Sequence, residues 1–507
     1  MIIHIKGAGD KELRPLQHIA DMYDIDAEIN MATKTNSEAV VTFEETRKGE
    51  YIALTATFIH TNGACLKETF QKHAPLLLSE KDIYKKAKQV RAHLFVKLLN
   101  KWTSTIQPWG TLTGIRPTKL WHSLYQDGLE LAEIKEHLQN DYLVSENKAA
   151  LLESIGRRQQ KVLPDLYELH NGVSIYIGIP FCPTKCAYCT FPAYAINGKN
   201  GSVEAFLTGL HFEMEQIGAW LERTGVPVTT IYFGGGTPTS ISAAEMDELY
   251  AKMYEVIPGI HDVREITVEA GRPDTITPAK LNVLSKWNID RISINPQSFD
   301  NQTLKAIGRH HSVEETKEKY ELSRKMGMKN INMDLIIGLP GEGTKEMEKS
   351  LEETEKLSPE SVTVHTLSFK RASTMTKQKE KYKVAEKDEI EKMMEMTAAW
   401  MNSHHYHPYY LYRQKNILGN LENVGYSLEG QESLYNIIIM EEVQTIIGLG
   451  CGAASKWVDP VTKKIGRFAN PKDPVSYNNR FEEYTDKKIA SLDQLFKNHI
   501  DHKAVPE

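Results

Sequence analysis

The chain has few cysteines, no long apolar run and no excess of one charge. Only five cysteines occur in 507 residues: Cys65, Cys182, Cys186, Cys189 and Cys451. A count this low, with three of the five clustered, argues against a disulfide framework. No uninterrupted apolar stretch is long enough to span a bilayer. The opening run, Met1-Ile-Ile-His-Ile-Lys-Gly7, lacks the basic region and apolar segment of a signal peptide. Lys and Arg number 61 against 67 Asp and Glu, a net charge of −6. That balance speaks against a dedicated nucleic-acid binder, which carries a clear basic excess. It leaves room for a local basic pocket facing an acidic small molecule. Internal repeats and low-complexity segments are absent as well. The expectation is a cytoplasmic, reducing environment and about two to four domains.

Residues 1–165 carry no cofactor motif. Alternating runs at Ala39–Phe43 and Tyr51–Phe58 predict two strands. Helical patterning predicts helices over Glu80–Lys101 and Leu129–Arg158. A separate α+β domain follows from this, with a scaffold or partner-docking role. From about Gly172 the pattern changes. Short β-rich runs at Val173–Ile179, Thr229–Phe233, Glu265–Glu269, Arg291–Ile294, Ile331–Ile337 and Ser361–Leu367 alternate with helical stretches. Strand–helix alternation at this spacing predicts right-handed βαβ units on a parallel sheet. Six strands are too few for a closed eight-stranded barrel, so residues 166–375 are expected to form a curved, partly open (β/α)6 barrel. Its ligands belong at the C-terminal ends of the strands. A charged helical run at Thr376–Ser403 reads as a solvated face, and residues 376–507 as a helical and α+β cap.

The chemistry concentrates in one loop, Phe181-Cys182-Pro-Thr-Lys-Cys186-Ala-Tyr188-Cys189, directly after the first barrel strand. Its Cys-x3-Cys-x2-Cys spacing offers three thiolates and no fourth nearby. A structural zinc site wants four ligands, so a histidine would have to complete it. A cubane iron–sulfur cluster wants one ligand per iron. Three thiolates leave one iron open for the amino and carboxylate groups of S-adenosylmethionine (SAM). The second strand ends in Phe233-Gly234-Gly235-Gly236-Thr237-Pro238-Thr239, where glycines let backbone approach a ligand. The third ends in Glu269, suited to ribose hydroxyls or an ammonium, followed by Arg272. Gln297 and Arg309 follow the fourth strand, the arginine suited to a carboxylate. Asp334 sits within an apolar fifth strand and needs a polar partner: a nucleoside hydroxyl or an internal ion pair, for example with Arg291.

In this order, the cysteine loop, the Gly-Gly-Gly-Thr-Pro-Thr turn and the later motifs resemble the radical SAM enzymes. More narrowly, they resemble the oxygen-independent coproporphyrinogen III oxidase family and its relatives. The similarity is strong over about 172–370 and weaker over 400–460, where Gly448–Ala454 echoes the family's glycine-rich segment. The long N-terminal region resembles the HemZ-type branch. The resemblance implies a [4Fe–4S] cluster on Cys182, Cys186 and Cys189. It implies SAM contacts from Tyr176, Tyr188, Gly235, Gly236, Thr237, Glu269, Gln297, Arg309 and Asp334. A reduced cluster would cleave SAM, and the resulting 5′-deoxyadenosyl radical would attack propionates of coproporphyrinogen III, giving vinyl groups and protoporphyrinogen IX. An electron donor such as flavodoxin or ferredoxin is implied, with no nucleic acid and no membrane span. Arg272 and Arg371 are candidate carboxylate binders. The chain departs from the oxidases in two places. Thr190 and Phe191 replace a Cys-Gly-Cys ending, and Gly178 stands where the family often has His. The ending is closer to a haem-chaperone branch, for which His365, His310 or His311 would be axial ligands. That branch's His-Asn pair is missing, with Tyr412–Asn416 in roughly its place.

Overall fold

A computed structural model describes residues 1–23, 28–30, 37–75, 78–114, 116–191, 193–196, 201–370, 373–414 and 417–497. The chain divides into two compact units, Met1–Gly156 and Arg157–Glu507.

The first unit is a five-stranded sheet in the order Glu28–Asn30, Ile2–Lys6, Ala39–Lys48, Tyr51–His60, Cys65–His73. The two pairings of Ile2–Lys6 are parallel and the rest antiparallel. Burial alternates along Tyr51–His60: Ile52, Leu54, Ala56 and Phe58 point inward. They share a core with Leu16 and Ile19 of helix Asp10–Asp21 and with Val90, Leu94 and Phe95 of helix Glu80–Thr103. Ser79 caps the longer helix by accepting from the Asp82 amide. The expected helix over Leu129–Arg158 is two helices, Leu131–Asn140 and Glu146–Val162. The break has a local cause. Leu143 takes a left-handed φ of 57°, and the Tyr142 carbonyl accepts from the Thr111 amide at 2.8 Å instead of continuing a helix.

The second unit is built on one eleven-stranded sheet. Its strands are β1 Val173–Ile179, β2 Val228–Gly235, β3 Glu265–Val268, β4 Arg291–Ser293, β5 Ile331–Ile337 and β6 Ser361–Thr366. Then come β7 His407–Tyr412, β8 Asn423–Ser427, β9 Thr445–Gly450, β10 Ala454–Val458 and β11 Ile465–Ala469. Strands β1 to β6 are parallel neighbours in chain order, the six expected. Helices α1 Val203–Thr224, α2 Ala243–Val256, α3 Pro278–Lys286, α4 Val313–Lys325 and α5 Thr344–Leu357 lie between them in the chain. This is the partial (β/α)6 barrel. The later residues extend the same sheet at both edges. β9 adds a parallel strand beside β1, and β8 adds an antiparallel one beside β6. The charged run after β6 is α-helical over Thr374–Lys377 and Lys387–Ser403, with a short 3-10 helix at Lys379–Lys381 between them. Just after that helix the Lys383 carbonyl accepts from the Gly341 amide at 3.2 Å, which ties this stretch to the turn after β5.

Register partners in a sheet face the same side, so the pairings sort the barrel residues into two faces. One face is Ile175, Ile177, Ile231, Phe233, Ile266, Val268, Ile292, Met333, Val362 and Val364, all buried. Phe233 meets Tyr250 of α2 on this side, ring centroids 5.1 Å apart, so this is the helix-covered face. The opposite, inner face carries Tyr176, Tyr232, Thr267, Glu269, Arg291, Ser293, Asn332, Asp334, Thr363 and His365.

Candidate active site

The inner face is graded along the strands. Ser174, Thr230, Glu265 and Ser361, nearer the strand starts, are buried. Tyr176, Tyr232, Glu269, Asp334 and His365, nearer the ends, are partly open. A polar face enclosed by a barrel and opening toward the C-terminal strand ends is where a ligand fits.

At that rim the cysteine loop is pinned from three sides. The Ala187 amide donates to the Ile307 carbonyl at 2.9 Å, and the Ala187 carbonyl accepts from the Met375 amide at 3.0 Å. Phe181–Cys182 pairs with Tyr194–Ala195. Cys182, Cys186 and Cys189 are all half-buried and free of disulfides. Burial pushes the Cys182 thiol up to about 11 and the Cys189 thiol in the same direction, so ligation of iron would release protons from them. Among the described residues each sulfur has a hydrogen-bonding neighbour. Thr237 Oγ1 lies 3.3 Å from Cys182 Sγ, Arg272 Nη1 lies 3.9 Å from Cys186 Sγ, and the Phe191 backbone serves Cys189.

The glycine turn packs directly on this loop. The Gly236 amide donates to the Ile179 carbonyl at 2.7 Å and the Thr237 amide to the Phe181 carbonyl at 2.8 Å. A Cβ at Gly236 would stand 2.5 Å from the Phe181 oxygen, so only glycine permits this contact. Those two amides are therefore committed to the fold, and recognition of a ligand here falls to other groups of the turn.

The remaining expected residues cluster in the lumen and on its rim. Glu269 accepts a hydrogen bond from the Tyr232 hydroxyl at 2.5 Å. Burial raises its carboxyl to about 7, against the lowering effect of that bond. Tyr176 stacks with Tyr232 (centroids 6.2 Å, 14°), and Tyr232 with Tyr435 (4.4 Å, 19°). Tyr188, by contrast, lies on the loop and accepts from Arg309 Nη1 at 3.2 Å. Arg309 Nη2 donates to the carbonyls of Gly271 and Asn295 at 2.7 and 3.0 Å, so most of its fork joins loops, and only its buried Nε lacks a partner. Asp334 is held by Asn332 Nδ2 at 2.8 Å and lies 3.4 Å from His365 Nε2. Arg291 instead bonds the Gln431 carbonyl at 2.8 Å and Ser361, so the expected Asp334–Arg291 pair does not form. Gln297 adopts a left-handed φ of 67°, and its Oε1 is buried without a partner.

The fit of a polar ligand can be tested on the protein alone. Thr267 Oγ1, Ser293 Oγ, Asn295 Oδ1, Gln297 Oε1 and Tyr435 Oη are all buried and unpartnered. Thr267, Ser293, Asn295 and Gln297 sit on or just beyond adjacent strands β3 and β4. Native proteins pair such atoms, so their concentration here suits a hydroxyl- and amine-rich ligand such as SAM. Three thiols on one short rim loop suit a cluster with an open iron. A cavity of about 440 Å³ opens elsewhere, at the strand starts, lined by Arg158, Lys161, Arg264 and Arg291 among others. Its cations are already engaged by Glu432, Glu429, Asp165 and Gln431.

Several residues here escaped sequence reasoning. Tyr232 could have been found, since it alternates with Thr230 on a strand. Tyr435 and Tyr412 come from distant segments with no local signal. His365 Nδ1 lies 3.1 Å from the Tyr412 hydroxyl, so both its ring nitrogens face protein groups. His310 is exposed and His311 buried, and burial lowers His311 to about 3. Arg272 is bound fork-to-fork to Asp274 and does not offer itself to a substrate carboxylate. Arg371 lies outside the described residues.

Residues 176–354 match the Radical SAM superfamily. The chain is 58% identical over 498 residues to the oxygen-independent coproporphyrinogen-III oxidase-like protein HemZ of Bacillus subtilis, covering 98% of this chain and 99% of that one. It is 31% identical over 283 residues to the haem chaperone HemW of the same organism, covering 55% and 70%. The coproporphyrinogen III oxidase HemN of Escherichia coli has a like fold, with a TM-score of 0.50 at 20% identity over 67% of this chain and 73% of that one. The chain belongs to the radical SAM superfamily, whose cofactors are a [4Fe–4S] cluster and SAM, and within it to the HemZ-type, coproporphyrinogen-oxidase-like family.

Proposed function

We propose that the protein is a radical SAM oxidoreductase that converts propionate side chains of coproporphyrinogen III to vinyl groups, giving protoporphyrinogen IX. In each conversion a hydrogen atom leaves the propionate β-carbon, carbon dioxide departs, and one electron passes to an acceptor. When bound, the cluster and SAM supply the reducing electron and the oxidant that removes the hydrogen atom. Cys182, Cys186 and Cys189 hold the cluster. Tyr176, Tyr188, Gly235, Gly236, Thr237, Glu269, Gln297, Arg309 and Asp334 shape the SAM site. The barrel wall excludes water from a reactive centre. Lys370 is half-buried close to Cys189 and has no ion-pair partner among the described residues, which suits it to receive a substrate carboxylate. A flavodoxin- or ferredoxin-like protein would deliver electrons in a cytoplasmic setting. No described helix is long and apolar enough to cross a membrane.

The observation that carries this reading is the polar inner face, with its unpartnered atoms, leading up to a three-thiol rim. The test is anaerobic incubation of reconstituted protein with SAM, a reductant and coproporphyrinogen III, followed by mass spectrometry. The expected product has lost carbon dioxide and two hydrogens at each of two propionates. Stable haem binding without any vinyl product would instead favour a haem-handling role, as named for the HemW relatives.

A further inference from the structure

Arg272, just past the end of β3, reaches across to the cysteine loop. Arg272 is 4% exposed. Asp274 accepts from its Nε and Nη2 at 2.9 and 2.6 Å. A two-point pair of this kind fixes the plane of the guanidinium. Nη1 is thereby directed at Thr184 Oγ1, 3.0 Å away, and toward Cys186 Sγ at 3.9 Å. Both acceptors belong to the cysteine loop.

We propose that Arg272 is a positioning residue for the iron–sulfur cluster: it orients Cys186 and raises the cluster's reduction potential by donating toward that sulfur. The proposal rests on the reading of the three cysteines as the cluster's ligands. Reduction adds negative charge to the cluster and its sulfurs, so a donor aimed at a ligand sulfur stabilises the reduced state. Hydrogen bonds to sulfur, net charge and exposure are the protein's levers on such potentials. Of the hydrogen-bonding neighbours that the described residues give the three sulfurs, Thr237 and the Phe191 backbone are neutral and Arg272 is cationic, while Lys185 and Lys370 act on Cys189 through space alone. Asp274 offsets much of the net charge of Arg272. The effect is thus carried by a directed N–H at close range and by the rigidity that Asp274 imposes.

The test is an anaerobic redox titration of reconstituted full-length protein without SAM, followed by electron paramagnetic resonance, with iron measured per chain. The variants are Arg272→Gln and Arg272→Lys. At the wild-type midpoint, R272Q is expected to show a reduced-to-oxidised ratio about tenfold lower, or roughly 59 mV for a one-electron couple. R272K keeps the charge and loses the fork, and should fall between. A loaded R272Q with the wild-type midpoint would overturn the proposal. If R272Q takes up no iron, R272K decides: a lowered midpoint supports the proposal and an unmoved one overturns it. Wild-type protein that never forms a cubane would overturn the ligand reading itself, a separate failure seen before any variant is made.

Discussion

The two sheets of this molecule obey different rules. Along Tyr51–His60 in the five-stranded sheet of the first unit, burial follows hydrophobicity: Ile52, Leu54, Ala56 and Phe58 are fully buried and Thr55 and Thr57 between them are not. In the eleven-stranded sheet one face follows the same rule, while the other encloses Glu269, Asp334, His365 and three stacked tyrosines. Placing such groups inside costs stability unless they are paired, and several of their neighbours are not. A face that departs from the packing rule, opposite a face of the same sheet that keeps it, marks where function has overridden stability.

The contrast can be broken most severely at the rim. Changing any one of Cys182, Cys186 or Cys189 to Ala should abolish cluster uptake, measured as iron and sulfide per chain, with circular dichroism unchanged. Cys65→Ala, in the first unit, should leave uptake intact. If a rim variant kept a full cluster, the ligand assignment would be wrong.

In the first unit the expected losses are of stability alone. Phe58 is fully buried and packs on Trp102 at 5.2 Å. Phe58→Ala should cost about 3–5 kcal/mol in urea denaturation without altering cluster absorbance.

The inner face should instead show its cost through pH. Glu269 on that face, and Glu342 in the turn after β5, where it accepts from Ser298, are both raised to about 7 from 4.5, chiefly by burial. A carboxyl raised in the fold favours the protonated form. Its stabilising contribution is therefore complete below pH 4.5 and disappears as pH rises through 7. Each could contribute up to about 3 kcal/mol, less for Glu269, which is partly open to the lumen. Unfolding free energy measured from pH 4.5 to 7.5 should fall, and Glu269→Gln should remove part of that fall. An identical slope in the variant would contradict the assignment.

The smallest effect concerns the outer edge of the lumen. Tyr410 of β7 crosses β8 to place its hydroxyl 3.2 Å from Thr363 Oγ1. It can cross because residue 425 is glycine; a Cβ there would lie 1.8 Å from the Tyr410 ring. Gly425→Ala should destabilise by about 1–3 kcal/mol through overpacking. The double variant with Tyr410→Ala should recover part of that loss if the clash is its cause.

Much of this was legible in the chain. The six parallel strands of the barrel announce themselves because a strand buried in a parallel sheet reads as a short β-rich run. Of the helices between them, Ala243–Val256 opens on a Ser242–Glu245 capping box, a start signal written in the sequence. The cysteine loop and glycine turn are local in sequence, and so is their chemistry. What escaped reading is long-range. β9 pairs with β1 across more than 250 residues, and its Gly448-Leu-Gly450 has weak strand propensity. Those glycines are needed because a Cβ at Gly450 would lie 2.4 Å from the Gly178 oxygen. The buried cluster in which Glu213 accepts from Lys488, Tyr477 and the Gly450 amide joins three distant segments. No window of sequence shows it. The fork between Arg272 and Asp274 spans two residues, yet its direction toward Cys186 depends on how two loops meet.

The most direct test is to reconstitute the protein anaerobically, reduce it with SAM present, and measure 5′-deoxyadenosine by liquid chromatography against the Cys182→Ala variant. The account predicts 5′-deoxyadenosine from the wild type and none from the variant. A fully loaded wild-type cluster that yields none, or equal yields from both proteins, would contradict it.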